Sequence, residues 1–340
     1  MEQPAETFLQ ERKELLEMAR SYRQSQILFT CLELGIFDLL AGRWLPAGQV
    51  AAVSGADERA VELLLNAAAA LGWLEKRAEG FSNAPLMERH FTPGAPGLGR
   101  RLQLESAFYH RWGNLTQAVR SGKRPPEDRR TTQAEDWVKT FIHALYDAAA
   151  PVAPIIAAAL ALPEKCPLRV LDVGGGHGGY SIALAQRHPL LTATVFELPQ
   201  VVPVAREIIA KSGMADRVFV QEGNFQQEDL GSGYDVALVF GVLNGEPPAG
   251  RPVLIRKVFN ALNPGGIIVL RDAVLEPDRA GPPEAAIFAL QMLLATDSGG
   301  LDSRADWDAW LRSAGFSPAR PLVLPECIGA DLVIATRPPG

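Results

Sequence analysis

The chain reads as an α/β protein in two parts: a helical N-terminal half, then a doubly wound, mostly parallel sheet. Three observations predict this. From about Leu168 onward, short apolar strands alternate with helical segments, the pattern of a parallel sheet covered on both faces. One apolar strand, Arg169 to Val173, runs into the glycines Gly174-Gly175-Gly176 and then into a helix at about Tyr180. Before about residue 160, apolar residues recur instead at helical spacing.

In the N-terminal half the spacing predicts helices over 7–20 and 24–41, the second carrying Leu28, Leu32 and Leu34 to Leu40. Val61, Leu64, Leu65, Ala68 and Leu71 form the next apolar stripe; Asp57 stands where an N-cap belongs and Gly72 where a helix stops. Trp73 to Arg77 and Gly80-Phe-Ser then read as two short strands about a turn, so helices followed by a hairpin make a winged-helix arrangement. Further helices are expected near 99–120, 134–149 and 152–161. The boundary falls near Pro163–Pro167, dividing the chain into 1–162 and 163–340. Seven strands complete the second part, over 169–173, 192–196, 217–221, 235–240, 266–271, 318–324 and 330–336. The last two are joined by a short connection, Pro325 to Gly329, and so form an antiparallel hairpin at one edge.

Composition narrows the function classes. With 340 residues, 47% hydrophobic and 21% charged, the chain is long enough for two domains and has the balance of an ordinary soluble protein. A formal net charge of -6 gives nucleic acid and anionic membranes no overall attraction. The densest basic run, Arg120 to Arg130, is broken by Pro125, Pro126, Glu127 and Asp128 and reads as a solvated loop. Cys31, Cys166 and Cys327 lie far apart without a CxxC pair, which suits a reducing compartment and opposes a disulfide framework. The charged N-terminus lacks an apolar stretch of signal-peptide type, and no apolar run is long enough for a bilayer, so a cytoplasmic protein is expected. His90, His110 and His188 show no ligand spacing, and no metal is expected.

The glycine turn carries the chemistry. A Cβ there would hold the backbone off a ligand and forbid the tight turn. Gly174, Gly176 and Gly179 satisfy GxGxxG, and the next strand ends in Phe196-Glu197, whose carboxylate can accept both hydroxyls of a ribose. That placement serves NAD and S-adenosylmethionine equally. The segments beyond Glu197 separate the two cofactors: a third strand ending in Asn224-Phe225, a fourth from Tyr234 to Phe240, a helix to Leu262, then Asn263-Pro-Gly-Gly turning into Ile267 to Asp272.

This order resembles the class I S-adenosylmethionine-dependent methyltransferases, with Leu171-Asp-Val-Gly-Gly-Gly as the first motif. The finer resemblance is to the plant-type (family 2) O-methyltransferases and their bacterial relatives acting on small molecules. It is carried by Phe196-Glu-Leu-Pro, Gly223-Asn-Phe, Leu34-Gly-Ile-Phe-Asp-Leu-Leu, Leu71-Gly-Trp-Leu-Glu and Trp307-Asp-Ala-Trp-Leu-Arg-Ser-Ala-Gly-Phe, and covers nearly the whole chain. The resemblance implies a Rossmann-like sheet, an N-terminal homodimerisation domain and an acceptor pocket between domains. It places Gly174 and Gly176 at the methionine moiety, Glu197 at the ribose, Asn224 and Phe225 at the adenine, and Phe240 beside the cofactor, although Phe240 reads equally as core.

The chain departs from the family at one place. Where a histidine base follows the fourth strand, Val242-Leu-Asn-Gly-Glu-Pro-Pro has Asn244, and an amide cannot take up a proton at neutral pH. Two acids that support the family's histidine remain as Asp272 and Asp302, each of which also reads as a loop carboxylate. His143, on a helix that by the resemblance borders the acceptor pocket, reads either as a substrate residue able to replace the missing histidine or as a helix-surface or core histidine; Met292 reads either as acceptor wall or as core. The first expectation is thus methyl transfer to a small aromatic or polyketide-like acceptor, with S-adenosylhomocysteine as product. The loss of the histidine motivates an alternative, a relative repurposed for chemistry such as hydroxylation or catalytically silent. A DNA-binding regulator built on the winged helix is opposed by the acidic charge and by the apolar stripe of the 57–72 helix.

Overall fold

The computed structural model describes residues 3–91, 98–126, 134–325, 328 and 331–340; Cys327, most of the connection from Pro325 to Gly329 and residues 127–130 of the basic run lie outside the described residues. The chain divides into two compact units, Met1–Ser106 and Ala107–Gly340. The division falls well before Pro163, because the helices over 134–159 pack against helices of the sheet layer.

The first unit begins with α1 (Gln3–Arg20), α2 (Tyr22–Glu33), α3 (Ile36–Leu40), α4 (Ala47–Ser54) and α5 (Glu58–Ala70). The expected 24–41 helix is broken because Gly35 takes a left-handed φ of 64° and reverses the chain between α2 and α3. Asp57 caps α5 by accepting the N–H of Ala60, and Gly72 follows the helix at a φ of 76°. The antiparallel hairpin of β1 (Leu74–Arg77) and β2 (Gly80–Asn83) comes next, then α6 (Pro85–Phe91) and the first part of α7 (Leu98–Trp112), whose residues from Ala107 on belong to the second unit. Ile36, Phe37, Leu40, Val61, Leu65 and Phe81 form this unit's core. Helix α1 differs from its neighbours: Phe8, Leu9, Leu15, Leu16 and Met18 are all exposed, between 41% and 72%.

The second unit adds α8 (Leu115–Ser121), α9 (Ala134–Ala149) and α10 (Ala153–Ala159) before the sheet. The expected 99–120 helix is interrupted at Gly113-Asn114, which separates α7 from α8. Strands and helices then alternate: β3 (Leu168–Val173), α11 (Gly179–Arg187), β4 (Leu191–Glu197), α12 (Val202–Lys211), β5 (Val218–Glu222), β6 (Tyr234–Phe240), α13 (Gly250–Ala261) and β7 (Leu262–Asp272). After β7 come α14 (Pro283–Ala295), α15 (Arg304–Ala314), β8 (Arg320–Pro321) and β9 (Asp331–Thr336). The seven strands lie in the order β5-β4-β3-β6-β7-β9-β8; β3 to β7 are parallel, and β9 and β8 form the antiparallel edge. The expected strand over 318–324 shrinks to Arg320–Pro321, since Pro321 has no N–H to donate to a ladder.

Strand parity sorts the side chains. Val170, Val195, Leu238 and Val269 face the layer of α9 to α12, while Leu171, Phe196, Val239 and Leu270 face α13 and α15 with the fully buried Trp307. The register sets Val173 beside both Phe196 and Val239, so the carboxyl ends of β4, β3 and β6 finish level. In open α/β sheets this end, where strand order reverses, is where ligands bind.

Two glycines of the first unit separate backbone strain from crowding. A Cβ on Gly80, at a φ of 131°, would meet the Leu45 carbonyl oxygen at 2.2 Å, whereas one on Gly72 meets nothing within 4 Å. Gly80→Ala is expected to destabilise the protein by about 2 kcal/mol or more and Gly72→Ala by about 1 kcal/mol, read from denaturant unfolding midpoints.

Candidate active site

The turn after β3 is built on left-handed backbone: Gly174, Gly176 and Gly178 have φ values of 59°, 53° and 67°. Beneath it lies Asp172, 1% exposed, whose Oδ2 accepts the Ser181 hydroxyl at 2.7 Å. A Cβ on Gly175 would stand 2.5 Å from the Asp172 carboxyl carbon, so that residue must be glycine while the acid is there. Burial pushes the Asp172 pKa up to about 7, against the Ser181 hydrogen bond and helped by the nearby Glu197 charge.

Glu197, at the end of β4, closes the turn. Its Oε2 accepts the N–H of Gly176 at 2.9 Å and its Oε1 that of Leu198 at 2.8 Å. Burial raises its pKa, and those two hydrogen bonds oppose the rise. Each carboxylate oxygen has two lone pairs, so both retain capacity for a further donor, the pattern a pair of vicinal hydroxyls requires. Phe225 approaches from the loop after β5; its ring lies 3.8 Å from the position of a Gly174 Cβ. Asn224 is tied into that loop, its N–H donating to Glu228 at 2.8 Å and its Oδ1 accepting from Gln226 at 2.9 Å, which leaves the Nδ2 hydrogens for a ring nitrogen. Lys257 holds the same loop through the carbonyls of Phe225 and Glu228, both at 2.8 Å. Phe240 ends β6 with its ring edge-on to Tyr180, 4.8 Å between centroids.

On the other side of the sheet, Asn244, Asp272, Ala273, Gly300, Leu301, Asp302 and Trp307 line one small recess. Asn244 sits in a short 3-10 turn, Leu243–Gly245. Its Nδ2 donates to Asp272 Oδ1 at 2.9 Å and its backbone N–H to Oδ2 at 3.3 Å. Its carbonyl accepts the Gly300 N–H at 2.9 Å. Burial pushes the Asp272 pKa up to about 6, opposed chiefly by the Asn244 side chain, with the Asp302 charge adding to the rise. Asp302 is occupied by Arg251, an ion pair in which both side chains are buried. Burial raises the Asp302 pKa and the Arg251 charge pulls against it.

The three residues expected around the missing histidine therefore come together, although they are distant in sequence. His143 does not share that neighbourhood: its Nε2 is 3.9 Å from Glu207 of α12, an acid that also meets Lys139 and Lys211. Met292 is buried in α14. Two residues escaped sequence reasoning. Asp172 was legible only as a polar residue inside an apolar strand. Arg251 had no signal at all, since its partner is brought to it by the fold. Among the described residues no cluster of three or more His, Cys, Asp or Glu could hold a metal ion, and no single helix is long and apolar enough to cross a membrane.

Known proteins resemble the chain over most of its length. The family model described as the O-methyltransferase domain matches residues 132–317, and the O-methyltransferase dimerisation domain matches residues 16–92. The chain is 30% identical over 312 residues to the 3-hydroxy-5-methyl-1-naphthoate 3-O-methyltransferase of Streptomyces sahachiroi, covering 90% of each chain. It is 29% identical over 314 residues to the tetracenomycin polyketide synthesis 8-O-methyl transferase of Streptomyces glaucescens, covering 90% of this chain and 92% of that one. Human N-acetylserotonin methyltransferase, solved in complex with SAM, superposes with a TM-score of 0.85 at 26% identity, over 97% of this chain and 98% of the other.

The buried acid beneath the turn has a thermodynamic consequence. A carboxyl whose pKa rises on folding from 3.8 to about 7 binds more protons in the native state between those values. Its stabilising contribution is complete below about pH 4 and is lost as pH climbs through 7. Asp172→Asn, which keeps an acceptor for Ser181, is expected to flatten the decline of stability between pH 4 and 7, measured as unfolding midpoints across that range.

Proposed function

We propose, for a chain that belongs to the O-methyltransferase family, that the reaction is transfer of a methyl group from S-adenosylmethionine to a hydroxyl of a small aromatic or polyketide-like molecule. The observation that carries this reading is the glycine turn closed by Glu197, with the Asn244 recess beyond the next strand. When bound, the cofactor supplies an electrophilic methyl group on a positively charged sulfur.

The residues present suit such a nucleoside. The side-chain-free faces of Gly174 and Gly176 admit the methionine portion at the turn. Glu197 accepts the ribose hydroxyls with its remaining lone pairs, Asn224 donates to the adenine edge, and Phe225 covers its face. Phe240 closes the cofactor side of the pocket, and Met292 belongs to the acceptor wall.

Asn244 replaces the proton acceptor expected here, and its role is set by its bonding. With Nδ2 and the backbone N–H both held by Asp272, its Oδ1 is left to accept a hydrogen bond from the acceptor hydroxyl. An amide orients that hydroxyl without removing its proton. Rate enhancement then comes from holding the oxygen in line with the methyl group, and the acceptor ionises unaided, its proton passing to water. Asp272 positions Asn244, and the Arg251–Asp302 pair fixes the neighbouring loop. A second reading rests on the same residue: with no proton acceptor, the site serves bound S-adenosylmethionine in other chemistry, hydroxylation among them, or is silent.

The dimerisation match and the exposed apolar residues of α1 support a homodimer. Leu9→Asp with Leu15→Asp is expected to shift the protein from dimer to monomer in sedimentation velocity. Methyl transfer is tested with isotope-labelled S-adenosylmethionine against a panel of phenols, hydroxynaphthoates and aromatic polyketides. Asn244→Ala is expected to lower kcat by about tenfold or more with cofactor affinity unchanged, and Glu197→Ala to weaken cofactor binding by at least about tenfold. No transfer by the natural protein, together with transfer by Asn244→His, would establish the second reading.

A further inference from the structure

Arg271 has no ion-pair partner among the described residues. It stands near the end of β7, opposite Phe240 of β6. Strand parity turns it toward α11, while its neighbour Asp272 points to the Asn244 side. Its Nη1 donates to Tyr180 Oη at 3.2 Å, and its guanidinium carbon lies 5.8 Å from the Tyr180 ring centroid. Its Nε is shut away from solvent with no acceptor. None of the ion pairs among the described residues includes it.

Among the described residues no acid is paired with Arg271, although the Asp172 charge acts on Tyr180 as the Arg271 charge does. Tyr180 lies against Phe240, and His177 lies 5.8 Å from Tyr180 and 5.7 Å from Tyr146. His177 is neutral: its Nδ1 accepts the Gly179 N–H at 2.8 Å, and burial pulls its pKa down to about 4. Asp172, on the same face of the sheet, gives its carboxyl to Ser181. A half-buried guanidinium with an orphaned donor is unfavourable in isolation, and its fork of N–H groups matches the two oxygens of a carboxylate. The aromatic rings beside it suit a flat, apolar ligand.

We propose that Arg271, together with the Tyr180 hydroxyl, forms a binding site for the carboxylate of a small molecule held at the carboxyl ends of β6 and β7. Taking that molecule to be a reactant rests on the methyl-transfer reading, and two sources then share the chemistry: the carboxylate of an aromatic hydroxy acid acceptor, and the amino-acid carboxylate of the cofactor. The site lies one strand beyond β6 as seen from the glycine turn.

Direct binding tests this without any turnover. Calorimetry on the full-length natural protein, Arg271→Met and Arg271→Lys would use two matched pairs of probes. One pair is 3-hydroxy-2-naphthoate and its carboxamide, added with S-adenosylhomocysteine present; the other is S-adenosylhomocysteine and its decarboxylated analogue. The natural protein is expected to prefer the acid in one pair by at least about tenfold. Arg271→Met removes that preference, Arg271→Lys retains part of it, and the other pair is unaffected. Preference in the first pair identifies the acceptor as the source, and preference in the second identifies the cofactor. Equal affinity for acid and neutral probe in both pairs overturns the proposal even if the variants fail to fold, as does a preference that survives in a folded Arg271→Met. Binding of S-adenosylhomocysteine without methyl transfer would count against the proposed reaction and leave this site standing.

Discussion

The turn after β3 rests on Asp172. A carboxyl with 1% exposure fills the space under Gly175 and ties α11 down through Ser181. That arrangement imposes three successive demands. Gly175 must lack a Cβ, Gly174 and Gly176 must take left-handed φ, and the freed Gly176 N–H must find an acceptor, which Glu197 provides. The level ends of β4, β3 and β6 make that last contact possible, since Gly174 donates its N–H to the Phe196 carbonyl at 2.9 Å. A slip of one residue in the β3–β4 register would send Glu197 to the other face of the sheet.

The same parity keeps two chemistries apart. Asp172, Phe240 and Arg271 belong to the face covered by α11, where aromatic rings and a lone cation collect. Asp272, adjacent in sequence to Arg271, faces Asn244 and Trp307. One strand end thus presents a guanidinium to one side and a carboxyl to the other, close together yet without an ion pair between them.

Asn244 shows what a fold retains when a reactive group is replaced. The supporting acid is still in position, and Asn244 satisfies it with its side-chain amide and its backbone N–H. Asp302, which by family resemblance also supports that place, is neutralised by Arg251 instead, and the Arg251 fork binds the carbonyls of Glu246 and Gly300 as well. The recess is therefore a polar network in which Asn244 Oδ1 has acceptor capacity left for a hydroxyl. Such a network positions a hydroxyl but does not store its proton.

Much of this was determined by the sequence alone. Alternating strands and helices, the glycine run, the Asp57 cap and the Gly72 stop are local features, set by backbone sterics and periodicity over a few residues, and they were legible for that reason. The order of motifs likewise marked Glu197, Asn244 and Asp272. Tertiary structure decided the rest, because it depends on which distant groups the fold brings into contact. Gly35 broke a helix whose apolar spacing runs through it, Pro321 shortened an edge strand, and α9 and α10 joined the sheet layer. Arg251 found Asp302, His143 went to Glu207, and Arg271 was left without an ion-pair partner among the described residues. A charged residue in a sequence carries no record of its partner; only packing across the sheet decides whether its charge is answered.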